Sequence, residues 1–94
     1  MQSVIQVIPK NNYTVYVYFD DGKIKLYIMA PLIGKGVFKK ISDIDIFMNT
    51  CTVLNNTLAW DIGGHYDPST CLDIDPIQIY EKGEDVKDPL IQIA

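Results

Sequence analysis

The 94-residue sequence contains no arginine, one histidine, one tryptophan and two cysteines. All eight basic residues are lysines, which weakens any expectation of bidentate phosphate or base recognition, because that geometry is arginine chemistry. Cys51 and Cys71 are too few for a disulfide framework, and we expect reduced, largely buried thiols in a cytoplasmic protein. No apolar run approaches the roughly 18 residues of a membrane span, and the N-terminus lacks a signal-peptide pattern, so we expect no membrane association.

Length and composition predict a single domain over residues 1–94. The chain is 48% hydrophobic and 21% charged, with both signs present, which argues against disorder. Residues 1–40 contain six lysines and two acids, whereas residues 41–81 contain seven acids and no base. This asymmetry predicts two faces of opposite potential, unless the two segments interleave in the folded state.

The clearest element is a hairpin in YTVYVYFDDGKIKLYIM, residues 13–29. Asp21-Gly22 is a two-residue type I′ turn signal, because Gly accepts positive φ freely. With this loop Val17 faces Leu26, and the alternating apolar residues share one face. The other face becomes the candidate interaction face, with Tyr16, Tyr18, Lys23, Lys25 and Tyr27.

Aromatic rings interleaved with ammonium groups leave three interpretations of that face open. The face can stack bases and contact the phosphates of a nucleic acid. It can also contact a partner protein, including a second copy of the chain. The third interpretation is ordinary cross-strand packing on a solvated or helix-covered face.

Further strands are predicted on both sides of this hairpin. VIQVIP at residues 4–9 is rich in β-branched residues, and residues 51–60 form a second hairpin with Asn55-Asn56 at its turn. The C-terminal tail, residues 83–94, would add an edge strand or dock on a partner. We therefore predict an α+β fold: an antiparallel sheet of about four to five strands with two or three short helices on one face.

Two short helices are predicted from their caps. Ser42 is a candidate N-cap for a helix from Asp43 to about Met48. A second helix, ending near Lys82, is predicted by Asp75 as N-cap, Pro76 at the first position, Gly83 as the stop, and Ile77 and Tyr80 as buried residues. Asp67-Pro68 fits the same start signal for a helical turn.

The stretch AWDIGGHYDPSTCLDIDP, residues 59–76, concentrates reactive residue types. The set His65, Asp67, Cys71 and Asp73 offers acceptable zinc ligands, but its spacing matches no recognised metal motif. Either cysteine could be paired with His65 as a nucleophile, yet no family-specific signature surrounds it. We therefore expect neither an enzyme, a metal site nor a cofactor, and expect the tryptophan to close a hairpin into the core.

PLIGKGVFKKISDIDIF and TLAWDIGGHYDPSTCLDIDPIQIYE, together with the Asp-Gly hairpin and their order, resemble the bacterial family called domain of unknown function 2442 over about residues 10–82. The matching positions, which we expect to be structural, are Trp60, Asp61, Asp67, Cys71, Asp73, Asp75, Pro76 and Tyr80. His65 stands where asparagine is more usual in the family. The resemblance implies no catalytic residues.

The resemblance also implies a relation to the domain that precedes helix-turn-helix domains in longer bacterial proteins. Stand-alone members are often encoded beside another small protein, and such a pair is predicted to be a toxin and its antitoxin. We therefore expect a non-enzymatic, antitoxin-like interaction domain that binds a partner protein, with a homodimer as a further expectation. The alternatives are a nucleic-acid-binding regulator module and, less favoured, a small enzyme or metal-binding protein.

Overall fold

The computed structural model describes residues 2–67 and 69–91, which form seven β-strands, two α-helices and one 3₁₀ helix. The strands are β1 Val4–Lys10, β2 Thr14–Phe19, β3 Ile24–Ile28, β4 Cys51–Leu54, β5 Thr57–Trp60, β6 Leu72–Asp73 and β7 Glu84–Asp85. The helices are the 3₁₀ helix Gly36–Ile41, α1 Ile44–Thr50 and α2 Pro76–Lys82. In this part of the chain, no helix has the length and apolarity to cross a membrane.

The described strands divide into two antiparallel sheets, with orders β1-β2-β3-β7 and β4-β5-β6. The predicted α+β class and a sheet of about four strands are confirmed, and a second, smaller sheet adds to them. One face of the larger sheet, the core face, packs against the smaller sheet and the helices. The largest fully buried side chains in this core include Val15, Val17, Phe19, Met29, Ile41, Phe47, Leu58, Trp60 and Ile79.

The predicted register of the β2–β3 hairpin is wrong by one residue. Val17 pairs with Lys25, not with Leu26. Because side chains alternate along a strand, this shift moves every β3 side chain to the face opposite the predicted one. Tyr27 consequently lies on the core face, whereas Leu26 and Ile28 point away from the core.

The cause is a loop of three residues where the sequence suggested two. The backbone N–H of Phe19 donates to the carbonyl of Lys23 at 2.9 Å, and that of Gly22 donates to the carbonyl of Phe19 at 3.1 Å. Gly22 has a φ of 90°. This is a type I turn closed by a glycine bulge, the usual three-residue hairpin connection.

The second hairpin is confirmed. Asn55 and Asn56 have φ values of 52° and 64°, as a type I′ turn requires, and β4 pairs with β5 around them. Asparagine accepts this left-handed conformation more readily than most side chains do. All four residues of β5 are buried, so this strand lies at the centre of the smaller sheet.

Helix α1 begins one residue later than predicted. Asp43 is its N-cap, because its side chain accepts a hydrogen bond from the backbone N–H of Asp45 at 2.9 Å. The predicted cap, Ser42, instead donates its hydroxyl to the carbonyl of Lys39 at 2.7 Å. Both residues are good cap types, and the preceding 3₁₀ helix engages the serine.

Helix α2 has the predicted ends, with Asp75 as its N-cap and Gly83 as its C-cap. One of the two predicted buried residues is wrong, since Ile77 is 50% exposed and Ile79 is fully buried instead. The other, Tyr80, is partly buried against the core. Gly83 is required by space, since an added Cβ would lie 2.8 Å from the carbonyl of Ile79 and from the Cβ of Lys25. The tail after it forms β7 on the edge of β3, which confirms the expected edge strand.

Candidate interaction surfaces

The first candidate surface is the acidic loop, residues 61–67 and 69–75, which is organised by a buried carboxylate. Asp61 directly follows β5 and is only 8% exposed. Both of its oxygens accept from the backbone N–H of Tyr66 at 3.1 Å, and Oδ1 also accepts from the Cys71 thiol at 3.4 Å. Its own backbone N–H donates to the carbonyl of Thr50 at 2.9 Å. One side chain therefore ties both halves of the loop to the smaller sheet.

Tyr66 is held in a strained backbone conformation while its ring faces solvent. Its φ is 52° and the residue is 61% exposed. For a non-glycine residue the left-handed conformation costs about 1–2 kcal/mol, whereas a hydrogen bond to a charged group contributes about 1.5–3 kcal/mol. The Asp61 carboxylate can therefore offset the strain at Tyr66.

The remaining acidic side chains of the loop are exposed. Asp67 accepts from the backbone N–H and the hydroxyl of Ser69 at 3.0 and 2.8 Å, and the backbone hydrogen bond leads in lowering the pKa of Asp67. The predicted Asp67-Pro68 turn includes Pro68, which lies outside the described residues. Asp73 is exposed on β6 opposite Ala59.

Neither cysteine has the environment of a nucleophile. Burial raises the pKa of Cys51 to about 12. The pKa of Cys71 is also raised, first by burial and then by its hydrogen bond to Asp61. Because both pKa values are raised, both thiols are protonated at neutral pH, whereas the thiolate is the reactive form of cysteine. His65 is exposed, and across the described residues no hydrogen bond joins it to either thiol.

The four side chains considered as zinc ligands, His65, Asp67, Cys71 and Asp73, do not form a metal-binding cluster. Within residues 2–67 and 69–91, no three His, Cys, Asp or Glu side chains are placed to hold a metal ion. What the loop does offer is two open grooves on either side of Ile62. One is lined by Asn49, Thr50, Cys51, Thr52, Gly64 and Tyr66. The other is lined by Val37, Lys40, Ser69, Thr70, Cys71 and Leu72.

The other matching positions of the family resemblance make structural contacts. Trp60 is fully buried, and its Nε1 donates to the carbonyl of Phe47 at 3.1 Å. The Tyr80 hydroxyl donates to Asp21 at 2.5 Å, while its ring meets Phe19 edge-on at 5.0 Å between centroids. Asp75 and Pro76 begin α2.

A family model described as "Protein of unknown function (DUF2442)" matches residues 4–85. The chain belongs to the DUF2442 family. Searches of curated proteins and of solved structures gave no match. The DUF2442 match runs from β1 to β7, so both sheets and the acidic loop fall within the family region.

The second candidate surface is the predicted Tyr/Lys face, and the register shift divides it. Tyr16 and Tyr18 point away from the core, but Lys25 and Tyr27 lie on the core face. Lys23 sits at the hairpin end, 4.0 Å from a carboxylate oxygen of Asp85. The five predicted residues therefore do not form one surface.

The two misplaced residues have partners in and after α2. The Lys25 ammonium lies 2.6 Å from Asp85 Oδ1 and 5.1 Å from the centre of the Tyr80 ring. Its hydrogen bond leads in lowering the pKa of Asp85. The Tyr27 hydroxyl accepts from the Gln78 side chain at 2.8 Å. Neither group is free to contact a phosphate.

The surface that replaces the predicted one is the outer face of the larger sheet. Its residues, identified by strand pairing, are Gln6, Ile8, Lys10, Thr14, Tyr16, Tyr18, Ile24, Leu26, Ile28 and Glu84. Tyr18 is buried there, and its hydroxyl donates to Asp88 of the C-terminal segment at 2.6 Å. Burial, followed by that hydrogen bond, raises the pKa of Tyr18 to about 12. Sequence patterning missed this partner, since the two residues are 70 positions apart.

Proposed function

We propose that this DUF2442 protein is a non-enzymatic, antitoxin-like interaction domain that binds a basic partner protein through its acidic loop. The observation that carries the proposal is the presentation of Tyr66. A buried carboxylate holds an exposed aromatic residue in a left-handed backbone conformation. Strained residues of this kind persist where the surrounding structure enforces them, and they concentrate at functional sites.

Tyrosine is well suited to anchor a protein complex. It buries a large area with few rotatable bonds, and binding hot spots are enriched in it. Grooves lie on either side of Ile62, and Tyr66 lines one of them. A partner side chain could therefore enter beside the ring while the loop stays in place.

Charge supports a basic partner. The acidic loop contains Asp61, Asp67, Asp73 and Asp75 and no lysine. Lys40 lines the groove on the other side of Ile62 from Tyr66 and contributes one ammonium there. The whole chain carries a formal charge of −4, which would accelerate association with a cationic protein at low salt. A small toxin that binds RNA is a partner of this chemistry.

The state of the reactive side chains supports a non-enzymatic role. The Asp61 carboxylate is engaged by Tyr66 and Cys71, and both thiols have raised pKa values. A general base or nucleophile would need a free lone pair directed at a substrate. The nucleic-acid alternative depended on one surface that carries both the tyrosines and the lysines. These residues lie on opposite sides of the sheet, so that argument for nucleic-acid binding no longer applies.

The proposal is tested by co-expressing the chain with the protein encoded beside it and measuring the dissociation constant at low and high salt. Tyr66→Gly removes the ring but keeps a residue that accepts the left-handed backbone. We expect this variant to weaken binding by about tenfold or more, as loss of a hot-spot side chain does. Asp73→Asn should weaken binding at low salt only, because the charge is exposed.

The matched control is Glu81→Gln, which removes an exposed carboxylate on α2 outside the loop. It should bind like the unaltered chain. Absence of complex at low salt, or full affinity of the Tyr66→Gly variant, would overturn the proposal.

A further inference from the structure

We infer that the outer face of the larger sheet binds the same face of a second copy, forming a dimer with two-fold symmetry. An antiparallel sheet that is packed on one side normally alternates apolar and polar residues. Here β2 has apolar side chains on the core face, Val15 and Val17, and Tyr16 on the outer face, where Leu26 of β3 lies beside it. Burial of the outward apolar side chains from water requires another part of the chain or a partner to pack against them.

The described part of the chain covers only one end of this face. The segment after β7 crosses Tyr18, where Asp88 accepts the tyrosine hydroxyl. The ring contact and side-chain hydrogen bond of α2 go to the core face, through Tyr80 to Phe19 and through Gln78 to Tyr27. Gln78 and Lys82 also line an open groove beside Leu26 and Ile28, which leaves the outer face uncovered there. Towards the other end Ile8, Tyr16 and Leu26 are half-buried and Ile28 is 50% exposed. Contiguous apolar surface of this kind marks an interaction site.

Charge identifies the occupant as a second copy. Among the strand residues of the outer face, Lys10 supplies the ammonium and Glu84 the carboxylate. Lys10 holds its ammonium 5.2 Å from the centre of the Tyr16 ring. The strand residues of the face are therefore balanced in charge, and Asp88 adds its carboxylate at the covered end beside Tyr18. The exposed part of the face offers little to a strongly basic protein or to a polyanion. Association of two such faces buries apolar surface without bringing like charges together.

The strand order makes the two charges complementary across a two-fold axis. Lys10 lies on β1 and Glu84 on β7, the opposite edges of the sheet. An axis in the interface, parallel to the strands and between β2 and β3, exchanges these edges between two copies. Each Lys10 then approaches the partner copy's acidic edge with an offset of about 7 Å along the strand. Long side chains span this offset, and the pairing occurs twice.

The test is the mass of the chain in solution, measured by sedimentation equilibrium over a range of concentrations up to about 500 µM. The expected mass is twice 10.6 kDa. Leu26→Lys places a charge at the centre of the face and should raise the dimer dissociation constant about tenfold or more. Ile77→Lys adds the same charge to an exposed position on α2 and should leave the dimer intact.

A more specific test exchanges the two charges of the proposed interface. Lys10→Glu should weaken the dimer, and adding Glu84→Lys in the same chain should restore it, since the exchanged charges meet again only between copies. Circular dichroism establishes that each variant is folded. A monomer at the highest concentration, an unaltered Leu26→Lys dimer, or failure of the double exchange to restore association would each overturn the inference.

Discussion

The acidic loop and the outer sheet face present tyrosine to solvent by different means. At the loop a single buried carboxylate, Asp61, holds Tyr66 in a conformation its backbone disfavours. On the sheet, strand register alone places Tyr16 outward. The loop is acidic, whereas the outer face balances Lys10 against Glu84. The difference implies that each surface can be altered without changing the other.

The largest expected effect comes from a core substitution that destabilises the fold supporting both surfaces. Trp60 is fully buried at the end of β5 and precedes Asp61 directly. Trp60→Ala should lower the free energy of unfolding by about 3–5 kcal/mol, most of the stability of a marginal domain. Urea unfolding followed by circular dichroism measures the change. A loss below about 1 kcal/mol would contradict the packing described for this residue.

An intermediate effect is expected from a substitution that alters the acidic loop but not the outer face of the sheet. Asp61→Ala leaves the N–H of Tyr66 and the Cys71 thiol without their acceptor, so the free energy of unfolding should fall by about 2–3 kcal/mol. Urea unfolding followed by the fluorescence of the one tryptophan reports it. Hydrogen exchange at the Tyr66 amide should accelerate.

Asp61→Asn, which keeps one acceptor oxygen, is the matched variant and should lose less. The dimer dissociation constant should stay unchanged in both. Weaker self-association of the folded Asp61→Ala chain would show that the two surfaces are coupled.

The smallest effect concerns the segment that covers Tyr18. Tyr18→Phe removes the hydrogen bond to Asp88 and should cost about 0.5–1.5 kcal/mol at neutral pH. The folded-state pKa of Tyr18 is raised to about 12, above the value of about 10 in an unfolded chain. Stability from this group is therefore present below about pH 10 and lost as the pH rises towards 12.

Unfolding measurements from pH 8 upward should show a shallower alkaline decline for Tyr18→Phe than for the unaltered chain. Equal declines would mean that burial and the hydrogen bond to Asp88 do not raise the pKa of Tyr18.

The local signals predicted most of the fold, and the failures have physical causes. Asn55-Asn56 was placed correctly because two consecutive left-handed residues suit a type I′ turn. Asp21-Gly22 misled because Asp-Gly also ends a three-residue loop. The alternation of residues in β3 could not decide the register of the hairpin, since Leu26 and Tyr27 are both apolar enough to face a core.

The candidate surfaces were harder to predict than the fold. Asp61 was recognised as part of a family signature, but nothing local indicates that its carboxylate binds Tyr66 and Cys71. Tyr16 and Tyr18 were placed outward correctly, because their parity in β2 does not depend on the loop. Lys25 was misplaced together with its strand. Contacts that join distant segments are set by tertiary packing, which a single sequence does not display.

The independence of the two surfaces is tested most directly by the stoichiometry of the complex formed by the Leu26→Lys chain with the adjacent-gene protein. Sedimentation equilibrium measures it. The account predicts two copies of each protein for the unaltered chain and one of each for the variant, with partner affinity changed by less than about threefold. A variant that loses its partner while remaining folded, or a variant complex that still contains two copies of each protein, would contradict it.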